Sequence, residues 1–126
     1  MRTYAKSRFE RCVQVLRWLN EEFDLFEDGS LRFEFVDMIQ ATPEGKDALE
    51  GCVFEHRGKL VLQISARNCR TTSHALDVLI HEAAHIALWS TGRGLLHGDE
   101  FWRTYGRMAD AYDHHGCQDS KTYYVD

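Results

Sequence analysis

Proline is almost missing from this chain: Pro43 is the only one in 126 residues. No proline-rich or low-complexity tract divides the sequence, so one domain is expected over residues 1–126. That length can bury roughly two thirds of the surface its unfolded form exposes. Paired cysteines are missing too. Cys12, Cys52, Cys69 and Cys117 stand singly, and without a C-x-x-C pair there is neither a zinc ribbon nor a redox motif. Each cysteine reads as a small buried hydrophobe in a reducing compartment. No apolar run reaches the length of a membrane span. The opening MRTYAKSRFERCVQVLRWLN sets charges between helically spaced apolar residues, which matches neither a secretory leader nor a span. A cytoplasmic protein without a membrane partner is expected.

Nor is there an excess of positive charge, the formal net charge being −5. Residues 1–20 hold five basic side chains and one acidic, residues 21–55 two and eleven, and residues 56–126 eight of each. An acidic chain has no general attraction for nucleic acid. Any such contact would fall to the N-terminal helix, whose Arg2, Lys6, Arg8, Arg11 and Arg17 otherwise read as a solvated face.

What is present is a strong apolar pattern. Phe9, Val13, Leu16, Leu19 and Phe23 recur at three and four, predicting an amphipathic helix over about residues 4–23. Leu31, Phe33 and Phe35 alternate with Arg32 and Glu34, which predicts a half-buried strand over 31–39. ATPEGKDALEG is polar and turn-rich. CVFEH and KLVLQIS flank Arg57-Gly58, the pattern of a β-hairpin. The period then becomes helical to about residue 90, where Gly92 and Gly94 stop it. Phe101, Trp102, Tyr105, Met108, Ala109 and Tyr112 predict a last helix over about 98–112. The expected class is α+β, with an N-terminal helix, a small three-stranded and mainly antiparallel sheet, and two further helices.

Between Val78 and Trp89 every residue except His81, Glu82 and His85 is apolar, so this helix should lie inside the domain. An unpartnered carboxylate there is costly, and buried charges are normally paired, neutralised or bound to a metal. Histidines at i and i+4 lie about 40° apart on one helical face and can reach a single ion. Glu82 lies about 100° round from His81, placed to touch a water held on that ion. H-E-x-x-H at the centre of a buried helix is a zinc-hydrolase signature.

A catalytic zinc takes a third protein ligand and keeps one position open. A metzincin would have Gly and His where Leu88 and Thr91 stand, and a gluzincin would need a Glu well into the next helix, yet none follows Glu100. His97, just before the last helix, is the leading candidate. Asp110, Asp113, His114 and His115 are the others. Tyr105, Tyr112, His114, His115 or an arginine could stabilise an oxyanion. Tyr105 and Tyr112 also read as core aromatics, and His114, His115 and Cys117 as a solvated C-terminal turn.

His81-Glu82-x-x-His85, eleven residues, then His97-Gly98-x-x-Phe101 resembles the protease domain of SprT-like and Spartan zinc metalloproteases, whose motif is HExxH followed by HGxxF. The likeness covers about residues 60–110. It implies a minimal zincin-like fold, Zn²⁺ held by His81, His85 and His97, and Glu82 as general base. It further implies protein substrates near or crosslinked to DNA, with single-stranded DNA as a candidate partner. This chain lacks the zinc ribbon or basic tail that such proteins commonly carry. Two other readings are a regulatory peptidase of the ImmA type, which cuts one repressor or partner, and a zinc-stabilised interaction domain without turnover.

Overall fold

The computed structural model describes residues 3–40, 48–92, 94 and 96–118. Helix α1 spans Thr3–Phe23 and buries Cys12, Val15, Leu16 and Leu19 along one stripe. Asn20 ends it: its Oδ1 accepts the backbone N–H groups of Leu25 at 2.8 Å and Phe26 at 2.9 Å while Asp24 turns left-handed. The basic residues of α1 do not form one solvated face. Arg8 is buried, with Nη1 donating to the Cys69 carbonyl at 2.7 Å, and Arg11 is buried with Nη2 donating to the Tyr112 hydroxyl at 3.0 Å. Long guanidinium stems reach interior carbonyl and hydroxyl acceptors, so charge alone misplaces them. Lys6 and Arg17 are exposed.

Strand β1 covers Leu31–Val36. The chain then breaks at Asp37 and Met38, so the expected 31–39 strand is shorter. Its final residue, Ile39, belongs instead to β2, Ile39–Gln40, which pairs antiparallel with β3, Ala48–Leu49. Strands β4, Gly51–His56, and β5, Lys59–Ser65, form the expected hairpin. Arg57 and Gly58 both have positive φ, 52° and 81°, as a two-residue type I′ turn requires.

The three-stranded sheet has the order β1-β5-β4. It is mixed rather than mainly antiparallel, because β1 runs parallel to β5, from Leu31 opposite Leu60 to Val36 opposite Ser65. Alternation determines which face of a strand is apolar but not the direction of its neighbour. Phe9 of α1 stacks on Phe33 and meets Phe35 edge-on, with ring centroids 5.4 and 5.7 Å apart, which fastens the helix to β1.

Helix α2, Thr72–Ala87, starts at Thr71, whose side chain accepts the His74 N–H at 3.1 Å. It packs against α1, the last helix, β4 and β5. The predicted extension to about residue 90 is a separate 3₁₀ turn, Trp89–Thr91, closed by left-handed Gly92. Helix α3 runs over Asp99–Gln118, longer than expected, and buries Phe101, Thr104 and Met108. His114 and His115 therefore lie on a helix, not in a turn, and His115 stacks on Trp18 at 4.5 Å. Cys12 and Cys69 are buried and Cys52 is half-buried; the side chain of Cys117 lies outside the described residues. No helix among the described residues is long and apolar enough to cross a membrane.

Candidate metal centre

His81, Glu82 and His85 stand in the second half of α2, whose other residues from Val78 to Ile86 are all buried. His97, just before α3, stands over the same face. His97 Nε2 lies 3.3 Å from His81 Nε2 and 3.1 Å from His85 Nε2. Ligand atoms about 2.0–2.1 Å from a tetrahedral zinc sit about 3.3–3.4 Å from one another, so this spacing fits one ion.

Hydrogen bonding within the trio does not account for the approach. The His85 Nδ1–H donates to the Gly94 carbonyl, which leaves a neutral His85 with only a lone pair at Nε2. One N–H on His97 Nε2 cannot serve two acceptors well, and lone pairs turned on one another could be shared by a cation between them. Burial, aided by neighbouring His97, holds the His81 pKa below its ordinary value, against the pull of Asp77 and Glu50. Burial lowers that of His85 as well, with the Gly94 hydrogen bond opposing. Both shifts favour the neutral imidazole, which is the ligand form. Among the described residues, these three histidines are the one group of His, Cys, Asp and Glu side chains placed to share an ion.

Phe101 is the floor of the site. It is 1% exposed, and its ring centroid lies 4.5, 4.8 and 4.9 Å from those of His85, His97 and His81. Such a rigid apolar ring limits the rotamers open to all three imidazoles. Trp102 stands at the rim, exposed, with its ring 6.0 Å from His97 and 6.2 Å from His81.

Glu82 is 5% exposed, and burial pushes its pKa up to about 7. Close approach of β4 encloses it: a Cβ built on Gly51 would lie 3.2 Å from Glu82 Cγ. A group poised near neutral pH can both accept and return a proton.

The remaining candidates are not brought to the trio. Asp110, Asp113 and His114 are exposed on α3, and the Tyr112 hydroxyl is occupied by Arg11. Tyr105 comes nearest, its ring 5.9 Å from that of His81, but its hydroxyl donates to Asp77 and its pKa is pushed up to about 12 chiefly by that bond. Three residues that support the site, Gly51, Asp77 and Gly94, escape a reading of the sequence. A glycine inside a strand does signal close backbone approach, which could have found Gly51. Comparison of the chain with protein-family models, curated proteins and solved structures yields no match.

Proposed function

We propose that the chain is a zinc-dependent endopeptidase acting on protein substrates, as the SprT-like resemblance implies. The observation that carries this reading is the convergence of His97 Nε2 on His81 and His85 within 3.3 Å, with buried Glu82 adjacent on α2. Three histidines without cysteine suit an open catalytic site better than a closed structural one, which argues against the interaction-domain reading. Zinc held there would supply Lewis-acid chemistry, activating a water and polarising a scissile carbonyl.

The chain's own groups supply the rest. The Glu82 carboxylate takes the proton of the attacking water and returns it to the leaving amine. Among the described residues strand β4 ends the three-stranded sheet, and it packs on α2 at Val78 and Glu82, so its outer edge can pair with an extended polypeptide beside the trio. Backbone pairing gives affinity with little sequence preference, which fits unfolded or loosely folded segments. The test is cleavage of an unfolded protein by zinc-loaded wild type, its loss on chelation and its return with zinc. A fully loaded protein that cuts neither this substrate nor itself, with or without single-stranded DNA, would overturn the reading.

A further inference from the structure

Gly94 has no room for a side chain because of one neighbour. A Cβ built there would lie 2.6 Å from Trp89 Cε3 and 3.0 Å from Trp89 Cα. The indole that fills this space is itself tied down, since Trp89 Nε1 donates to Glu55 Oε1 of β4 at 2.6 Å. The Gly94 carbonyl in turn accepts from His85 Nδ1. An unbroken chain therefore runs from the edge strand through Glu55, Trp89 and Gly94 to a metal-facing imidazole.

We propose that Trp89 is a positioning residue for the metal centre, which packs the Gly94 carbonyl against His85 and is itself held by Glu55. A neutral imidazole carries one proton. Holding that proton at Nδ1 leaves the Nε2 lone pair free for the ion and fixes the ring's orientation, whereas a proton at Nε2 would have to be lost before binding. Groups that orient a ligating histidine typically change metal affinity 10–100-fold when removed. The same packing leaves no space for a Cβ at position 94 while Trp89 is present.

The inference rests on the metal reading, and its test separates the two. Zinc affinity would be measured by competition with a chromophoric chelator, and ligand geometry by the visible spectrum of the Co²⁺-substituted protein. Trp89→Ala is expected to weaken zinc binding about 10–100-fold and to alter the cobalt bands. Gly94→Ala is expected to weaken binding in the wild type but not further in the Trp89→Ala protein, where the clash is gone. Glu55→Ala, a surface change that leaves the core untouched, is expected to weaken binding several-fold and keeps the proposal testable if Trp89→Ala does not fold. Wild-type affinity and an unchanged cobalt spectrum in Trp89→Ala or, should that variant not fold, in Glu55→Ala would overturn it. A wild type that takes up no metal would instead sink the metal reading itself.

Discussion

Gly51 of β4 and Glu82 of α2 approach so closely that a methyl group on residue 51 would stand 3.2 Å from Glu82 Cγ and 2.7 Å from Val78 Cγ1. The strand and the helix can thus meet only through glycine. Gly51→Ala should push β4 away from α2 or turn the Glu82 side chain, at a cost of about 1–3 kcal/mol, the usual scale of overpacking. Urea unfolding of the two proteins measures it. Unchanged stability together with unchanged proteolysis would mean the gap is soft and Gly51 is incidental to the site.

Removing His97 should empty the site. Zinc at a hundred times its Kd stabilises a native state by about 2.7 kcal/mol. Adding zinc should therefore raise the Tm of the wild type by several degrees and leave that of His97→Ala nearly unmoved. Metal analysis should find one ion per wild-type chain. Full zinc occupancy in the variant would remove His97 from the ligand set.

The motif, the buried helix and the Arg57-Gly58 turn are legible in the sequence because each is local: periodicity, spacing and turn chemistry act within a few residues. His97 is reachable through its place just before the last helix and the weakness of its rivals. The direction of β1 against β5 was not, since Leu31, Phe33 and Phe35 would face the core equally well in either sense. Arg8 and Arg11 were misread because their acceptors, the Cys69 carbonyl and the Tyr112 hydroxyl, lie 61 and 101 residues away. Gly94 supports His85 through a backbone carbonyl, a group every residue has and no side-chain pattern marks.

Acid should weaken the metal-free protein through His81 and His85. Burial holds both pKa values below the ordinary 6.5, so the folded state binds fewer protons than the unfolded one wherever these differ. Their contribution is intact above pH 6.5 and is lost progressively as pH falls through 6.5 toward the folded values. The apo Tm should drop over that window in the wild type and drop less in a His81→Ala, His85→Ala protein. Parallel curves would show that these histidines do not carry the effect.

Single-stranded DNA, if it binds through α1, should do so with a shallow salt dependence. Arg8 and Arg11 are engaged within the fold, and Lys6 and Arg17 are the exposed cations among the described side chains of α1. Each phosphate contact contributes a slope of about −0.7 to log K against log salt, so two contacts give about −1.4 and five would give about −3.5. Fluorescence anisotropy across a salt series measures the slope. A slope near the larger value would place the contact elsewhere, and no binding would discard the DNA partner while leaving the protease reading intact.

Glu82→Gln separates the proton-transfer role from the structural one. Glutamine keeps the size of the side chain but cannot take up the proton, so cleavage should fall at least about 100-fold while zinc content holds. Its effect on the metal-free protein should run the other way. Burial raises the Glu82 pKa to about 7 from its ordinary 4.5, so the folded state favours the protonated form. A carboxylate with a raised folded pKa loses stability as pH climbs from its unfolded value through its folded one. The apo wild type should thus lose ground to Glu82→Gln between about pH 4.5 and 7, and the variant should be the more stable at neutral pH. Equal cleavage by both proteins would remove Glu82 from the chemistry. A less stable apo variant would show instead that the carboxylate has a partner glutamine cannot replace.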